Sequence, residues 1–275
     1  MKKFSNRISR LIFVVFSFIL IKNAFAETIR IVPLPLQKKS ILIYQYMPLI
    51  EHLKKETNLS FELFYIENYT QIFEEFKKGK IHIAILSPYI YYILKREFPN
   101  IRVLAHFREK DGSINYKCVI VTHAKGPNSI RDIKGSIALP QKLSTCGFFA
   151  ANIMLRKEGK QIEKMKIRYL KNHNEAVEAV IRQEYDVASV RKEIAEKYKG
   201  YAIKILKEIE MGPSLSVVVN PSILSEDNIE KIRKALISFN PKDKLGDFMG
   251  KYGLVEGSEK NFKIIKKYEQ FINLR

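Results

Sequence analysis

The sequence predicts an α/β protein built from two lobes around a central cleft. Short apolar segments typical of buried strands alternate with amphipathic segments typical of helices, a pattern that favours α/β architecture with parallel sheets. The alternation occurs twice, and it is interrupted near residues 108–115 and again near residues 209–214. Two lobes joined by two chain crossings would enclose a cleft suited to hinge closure around a ligand. A single larger α/β domain is the alternative.

The first series opens on a buried strand and then alternates helices and strands. Segment 46–55 carries apolar residues at helical spacing. The run 81–86 is almost wholly apolar, as expected of a strand buried on both faces, and Ser87-Pro88 turns it into a helix. The predicted strands are 29–34, 59–65, 81–86, 102–107 and 116–122. The predicted helices are 46–55, a segment capped by Asn68 or Thr70 and ended by Gly79, and 89–94.

The second series repeats this pattern and ends in a helical tail. Its predicted strands are 137–140, 166–170, 186–190 and 215–219, and its predicted helices lie near 146–158 and 174–183. Three amphipathic helices are expected between the last strand and Arg275. The predicted lobes are therefore residues 27–113 with 210–275 for lobe 1, and residues 114–209 for lobe 2.

The N-terminal 26 residues have the layout of a secretory signal peptide. Residues 1–10 contain four positive charges and no negative charge, residues 11–21 are apolar apart from Ser17, and a small-x-small sequence ends at Ala26. A membrane anchor is the alternative, but eleven residues span only about 16 Å as a helix, too little to cross a bilayer. We expect cleavage after Ala26 and export to the periplasm, with no membrane insertion of the mature chain.

The charge and cysteine content narrow the partners. The sequence has 48 Lys and Arg against 29 Asp and Glu, a formal net charge of +19. Export disfavours nucleic acid as a partner, and the lysines are scattered in the way expected of solvated helix faces. What remains is a general field that attracts small anions. Two cysteines cannot build a disulfide framework and fit no zinc spacing.

Motifs of catalysis are absent from the sequence. The five histidines have no metal-binding spacing, and there is no Gly-x-Ser-x-Gly, P-loop or Gly-x-Gly-x-x-Gly motif. Most acidic residues lie beside lysines on predicted helix surfaces. We therefore expect a binding protein that is not an enzyme, has no cofactor and no metal, and is a monomer.

The most informative segment is 139–148, where a strand ends, a polar loop follows and a helix starts near Cys146. Ser144 and Thr145 place two hydroxyls beside the free N–H groups of a helix N-terminus, which is an anion site by geometry and dipole. Gly147 would allow the chain to approach a ligand closely. The alternative is that Ser144 or Thr145 only caps the helix.

Several segments, in order, resemble one family of binding proteins. The family is the phosphonate-, phosphite- and phosphate-binding proteins of ABC transporters, which are type II periplasmic solute-binding proteins. The similar segments are Tyr46-Met47-Pro48-Leu49, Asn68-Tyr69, residues 79–88, Ser144-Thr145-Cys146-Gly147, Lys171-Asn172-His173 and Tyr185-Asp186-Val187-Ala188. Each segment is weak alone, but the ordered set spans about residues 29 to 240.

This resemblance implies a two-lobed Venus-flytrap protein that closes on an oxyanion. Ser144, Thr145, Cys146 and Gly147 would hold the anion, and His173 would contact it. From the first lobe, Ser87, Tyr89 or Tyr91 would close the site. Tyr44 or Tyr46 is a further candidate, with a core role as the alternative, and Arg191 would face the tail of the ligand.

Three departures from the family pattern bear on the ligand. His82 stands where the family usually has Asp, at a position that we interpret as structural. Arg191 disfavours a ligand with a cationic amine and so favours a compact anion. Cys146 replaces a hydroxyl and would bind arsenite covalently or line a phosphate or arsenate pocket; its alternatives are an inert buried thiol and a disulfide with Cys118.

The resemblance implies uptake of a small phosphate-, phosphite- or phosphonate-like oxyanion, delivered to an ABC permease. A second hypothesis is an oxyanion sensor subunit, with arsenic oxyanions as one ligand class, that signals to a membrane histidine kinase. Both hypotheses use the same closure, in which the ligand stabilises the shut form by its differential affinity. A secreted enzyme is the third and least favoured class.

Overall fold

The computed structural model of the chain describes residues 28–240 and 250–271. The predicted signal peptide, residues 1–26, lies outside the described residues. Within those described, the structure contains no helix that is both long enough and apolar enough to cross a membrane.

The described residues form two sheets and eight α-helices. The strands are β1 (Ile29–Val32), β2 (Phe61–Leu63), β3 (Ile83–Leu86), β4 (Arg102–Phe107), β5 (Tyr116–His123), β6 (Ser136–Leu139), β7 (Lys166–Tyr169), β8 (Val187–Arg191), β9 (Ile203–Met211), β10 (Ser216–Val219) and β11 (Leu254–Glu256). The helices are α1 (Lys39–Thr57), α2 (Tyr69–Lys77), α3 (Pro88–Glu97), α4 (Ala150–Lys157), α5 (His173–Ile181), α6 (Lys192–Lys197), α7 (Glu226–Ser238) and α8 (Lys263–Lys267).

Each lobe is built on one mixed sheet. The first sheet has the order β11-β4-β10-β3-β1-β2, and the second has the order β7-β6-β8-β5-β9. β1 is parallel to β2 and β3, and β6 is parallel to β7 and β8. β10 and β5 run antiparallel to their neighbours. The prediction of parallel sheets is therefore wrong for β5 and β10, which follow the chain crossings and enter each sheet in the opposite direction, and for β11, which pairs antiparallel with β4.

The sheets pack against helices through apolar side chains that are almost fully buried. In the first lobe, β3 and β10 present runs of Ile, Ala, Leu and Val that pack with the inner face of α1. In the second lobe, β5 and β8 pack against α5. Burying each Val, Ile or Leu side chain contributes about 1.5–3 kcal/mol. This packing holds the strand ends that carry the site.

The chain passes from the first sheet to the second through residues 108–115 and returns through residues 212–215. The C-terminal segment 263–271 then reaches the second lobe again. Ile265 lies in the second lobe's core cluster, and the Asn152 side-chain amide donates a 2.7 Å hydrogen bond to the Phe271 carbonyl. The lobe boundaries, 27–113 with 210–275 for lobe 1 and 114–209 for lobe 2, stay a prediction.

Candidate functional site

A small cavity lies where the two lobes meet, at the carboxyl ends of several strands. Ser87 follows β3, Ser144 and Thr145 follow the loop after β6, and Arg191 ends β8. In parallel sheets, ligands bind beyond the carboxyl ends of the strands, which is where these side chains converge. The cavity is lined by Leu34, Leu36, Tyr69, Ser87, Tyr116, Ser144, Thr145, Cys146, His173, Arg191 and Leu215.

Five helix N-termini of the described chain meet at this cavity. Six lining residues are the N-cap or the first residue of a helical segment: Tyr69 of α2, Ser87 of α3, Ser144 and Thr145 of the turn 145–149 that leads into α4, His173 of α5 and Arg191 of α6. The first N–H groups of a helix have no acceptor within it, and the helix dipole places partial positive charge there. The cavity is therefore suited to an anion.

The hydroxyl groups differ in how much of their hydrogen-bonding capacity is in use. The Ser144 Oγ accepts a bond from the Gly147 N–H at 3.0 Å, and the Thr145 Oγ1 accepts one from the Tyr89 N–H at 3.0 Å. The Ser87 Oγ is buried and has no hydrogen-bond partner. A buried polar atom without a partner costs free energy that a ligand oxygen would recover.

His173 is placed as a neutral hydrogen-bond donor. Its Nδ1 accepts a 3.2 Å bond from the Arg191 N–H, so the ring proton lies on Nε2. Burial, together with the nearby charge of Arg191, lowers the pKa of His173 to about 3. The imidazole therefore stays uncharged at physiological pH.

The Arg191 guanidinium is already paired with acidic groups. Its Nη2 lies 2.9 and 3.0 Å from the two carboxylate oxygens of Glu109 and 3.2 Å from Glu193, and its Cζ sits 4.3 Å from the centre of the Tyr116 ring. Burial alone would raise the pKa of Glu109, but the charge of Arg191 holds it below its usual value. The site thus offers an anion mainly neutral donors and helix dipoles, because Glu109 balances the charge of Arg191.

Cys146 forms a disulfide with Cys118, and the described residues contain no free cysteine. The sequence leaves three possibilities for Cys146: a ligand-binding thiol, an inert buried thiol and a disulfide with Cys118. The structure contains the disulfide. Covalent arsenite binding needs a free thiol, so that interpretation of Cys146 is wrong for the oxidised protein. The arsenic-sensor hypothesis loses the residue on which it depended.

Several predicted site residues lie outside the cavity lining. The Tyr89 ring stacks on Phe149 with centroids 4.9 Å apart, and only its backbone N–H reaches the site. The Tyr91 ring stacks on Phe262 at 4.1 Å. Tyr46 is fully buried in the first lobe's core, whereas Tyr44 is 72% exposed on α1.

Gly147 has a packing role. A Cβ built on Gly147 would lie 2.6 Å from the Pro140 side chain and 2.9 Å from that of Ser144. The absence of a side chain at Gly147 therefore lets the backbone pack closely against Pro140 and Ser144.

Three residues that line or support the site were not among the predicted ones. Tyr69 and Tyr116 are buried lining residues, and Glu109 pairs with Arg191. Tyr69 lies in a segment already noted for its family resemblance, which was the signal available. Burial raises the pKa of both tyrosines, and the Tyr116 hydroxyl hydrogen-bonds Thr145. Nothing in the sequence pattern links Glu109 to Arg191, since 82 residues separate them.

The two lobes are closed on each other. Hydrogen bonds cross the cleft from the Tyr89 N–H to Thr145 and from the Tyr69 N–H to the Gln141 Oε1 at 3.3 Å, and the Glu109–Arg191 pair adds a third link. The cavity has a volume of about 10 Å³, which is room for about one water molecule. A ligand larger than water therefore enters only when the lobes separate.

The two lobes closed around a cavity define the fold of a type II periplasmic binding protein. The family profile described as "ABC transporter, phosphonate, periplasmic substrate-binding protein" matches residues 31–262. The chain therefore belongs to the phosphonate-binding periplasmic components of ABC transporters. It binds a small phosphonate and works with a permease.

Solved structures share this fold at low sequence identity. PhnD1 of Prochlorococcus marinus, in complex with methylphosphonate, has a TM-score of 0.77 and 14% identity over 88% of this chain and 97% of its own. A binding protein component of an ABC phosphonate transporter from Pseudomonas aeruginosa has a TM-score of 0.77 and 15% identity over 89% and 86%. A protein from Xanthomonas citri bound to ATP has a TM-score of 0.72 and 12% identity over 89% and 96%. No curated protein matches the sequence.

Proposed function

We propose that this protein captures a small alkylphosphonate between its lobes when they are apart, closes on it with the inner cavity held wider than in this structure, and presents it to the permease in that ligand-bound form. The observation that carries the proposal is the buried, unpartnered Ser87 Oγ at a cavity where five helix N-termini meet. The methylphosphonate bound to the Prochlorococcus protein supports the choice of ligand class.

The anion would be held mainly by neutral donors. Ser144 and Thr145 would donate through their hydroxyls and the free N–H groups of their turn, His173 through Nε2–H, and Ser87 through its hydroxyl from the opposite lobe. Bonds to a charged oxygen are worth about 1.5–3 kcal/mol each, roughly twice those between neutral groups. Arg191 and Cys146 would shape the site, Arg191 through its pair with Glu109 and Cys146 through the disulfide.

Capture would proceed by closure of the lobes about the crossings at 108–115 and 212–215. The hydrogen bonds from Tyr89 to Thr145 and from Tyr69 to Gln141 are made between the lobes, so they contribute only in the closed form. A ligand that touches both lobes stabilises that form by its differential affinity. Lobe 1 would comprise residues 27–113 and 210–275, and lobe 2 would comprise residues 114–209. Segment 263–271 of lobe 1 packs against lobe 2.

The remaining assignments follow the same proposal. Residues 1–26 would be a signal peptide cleaved after Ala26, which leaves a periplasmic protein that is not inserted in the membrane. The mature protein would be a monomer, would not act on its ligand chemically and would not bind nucleic acid.

Calorimetric titration of the purified protein with methylphosphonate, phosphite, phosphate and sulfate tests this function. We expect methylphosphonate to bind and Ser144→Ala to weaken it at least about tenfold, since one bond to the anion is lost. Ser225→Ala is the matched control, because Ser225 caps α7 through the same kind of bond to the Asn228 N–H, away from the cavity. Both variants should lose about 1 kcal/mol of stability. No binding of methylphosphonate, or equal affinities in the two variants, would overturn the assignment.

A further inference from the structure

A second and much larger cavity lies between the lobes, beside the proposed phosphonate site. It has a volume of about 890 Å³, within the range of cavities that hold drug-sized molecules. Residues from segments 35–39 and 65–71 line one side, and residues from segments 140–143 and 169–175 line the other. A methylphosphonate in the inner cavity leaves this space unused.

The two cavities adjoin at Tyr69, which lines both. Gln141 lies at the same place and joins the lobes. Its Oε1 accepts a bond from the Tyr69 N–H at 3.3 Å, and its Nε2 donates to the Lys171 carbonyl at 3.0 Å. A substituent on the phosphonate carbon would therefore pass Tyr69 and Gln141 and enter the outer cavity.

Four exposed lysines line the outer cavity, two from each lobe: Lys38, Lys39, Lys142 and Lys171. In the described part of the chain, none of the four has an ion-pair partner, whereas Lys117, Lys192 and Lys207 of the second lobe are all paired with glutamates. The Lys39 ammonium lies 5.7 Å from the centre of the Tyr65 ring.

Closure brings these like charges together across one cleft, which costs free energy unless an anion lies between them. Two carboxylates, Glu67 and Glu175, also line the cavity. The Glu175 Oε1 accepts a bond from the Asn172 Nδ2 at 2.9 Å, at the start of α5. Positive charge therefore remains in excess along the cavity.

We propose that the outer cavity is a second subsite that binds an anionic group at the far end of the ligand. The natural ligand class would be phosphonates whose carbon chain ends in a carboxylate. This inference rests on the proposed function, because it places the phosphonate group in the inner cavity.

Three ligands of equal chain length test the subsite: propylphosphonate, 3-phosphonopropionate and 3-aminopropylphosphonate. We expect 3-phosphonopropionate to bind about tenfold more tightly than propylphosphonate, since the ammonium groups that line the outer cavity attract its carboxylate. The amine should bind more weakly than propylphosphonate. The advantage of the carboxylate should shrink as salt rises from 0.01 to 1 M, where the screening length falls to about 3 Å.

The double variant Lys142→Gln/Lys171→Gln should lose most of the carboxylate's advantage and keep the wild-type affinity for propylphosphonate. The control Lys55→Gln/Lys134→Gln removes the same charge from exposed positions outside the cavity and should keep the advantage. Equal binding of the three ligands, or equal losses in the two double variants, would overturn the subsite. If propylphosphonate and methylphosphonate both fail to bind, the proposed function itself is overturned.

Discussion

Two buried serines of the first lobe show how one hydroxyl serves either a ligand or the fold. The Ser87 Oγ faces the inner cavity, caps no N–H of α3 and has no partner. The Ser216 Oγ on β10 lies 2.8 Å from the His106 Nδ1 and donates to the Ser214 carbonyl at 3.3 Å. Ser87 therefore keeps its capacity for a ligand, and Ser216 has already used its own within the fold.

Alanine at these two positions should have opposite effects. Ser87→Ala should weaken methylphosphonate binding at least about tenfold without lowering the free energy of unfolding, because it removes an unpartnered buried hydroxyl. Ser216→Ala should lower the free energy of unfolding by about 1–3 kcal/mol and leave affinity unchanged, since it strips His106 of a partner. Calorimetric titration and urea unfolding measure the two quantities. A loss of stability with intact affinity in Ser87→Ala would contradict the role given to Ser87.

At the scale of elements, the sequence predicts the strands and helices that carry the site. The strands that it does not predict are missing for physical reasons. Strand 102–107 and the Asn68 cap are as predicted, because apolar periodicity and capping act over a few residues. The sequence pattern does not predict β9, because β9 is an edge strand whose exposed side carries Lys and Glu and therefore resembles a solvated helix. β11 has only three residues, too few for a period, and it replaces part of the predicted helical tail.

The site itself was only partly predictable for a related reason. Ser144 and Thr145 lie within one short segment, 139–148, so the sequence alone singles them out. The Glu109–Arg191 pair and the contact of Tyr116 with Thr145 join distant segments, and only the folded chain brings them together.

The disulfide joins two elements that the site needs in fixed relation. Cys118 lies on β5, and Cys146 lies in the turn that supplies the free N–H groups. The Cys146 carbonyl also accepts a bond from the Ser189 hydroxyl of β8. The turn 145–149 is therefore held to two neighbouring strands of the second sheet.

Removing the disulfide should cost stability mainly through the unfolded state. The cysteines are 28 residues apart, and closing a loop of that length is worth about 3.5 kcal/mol. We expect Cys118→Ala/Cys146→Ala and the reduced wild type to unfold at similar, lower urea concentrations than the oxidised wild type. Arsenite should not raise the melting temperature of the oxidised protein. Mass spectrometry after alkylation in denaturant supplies the control, and two labelled thiols without reductant would contradict the pairing.

At the scale of the whole molecule, the acidic pair beside the crossings links closure to pH. Glu109 follows β4 in the crossing at 108–115, and Glu193 lies at the start of α6 in the second lobe. Both contact Arg191, whose guanidinium stacks on Tyr116. Burial in the closed form, with Glu109 alongside, raises the pKa of Glu193 to about 7.

Closure should therefore take up a proton at Glu193. When the lobes separate and Glu109 leaves, the carboxyl returns towards its usual pKa of about 4.3. The closed form therefore gains stability as pH falls from about 7 to about 4.3 and keeps that gain at lower pH. Methylphosphonate should bind more tightly to the wild type than to Glu193→Gln as pH falls from 8 to 6. The 43% exposure of the Glu193 side chain limits this relative gain to about threefold.

Calorimetric titration of both proteins at pH 6, 7 and 8 tests this coupling, because the ligand's own titration is common to both and cancels in the ratio of their affinities. Repeating the pH 6 titration in buffers of different ionisation enthalpy counts the protons taken up, and the wild type should take up more than Glu193→Gln. Glu210→Gln, on β9 and bonded to Asn115, is the control and should follow the wild type. If the methylphosphonate affinities of wild type and Glu193→Gln depend on pH in the same way, closure does not move Glu193 between two environments. That result would contradict the hinge role of the Glu109–Arg191–Glu193 cluster.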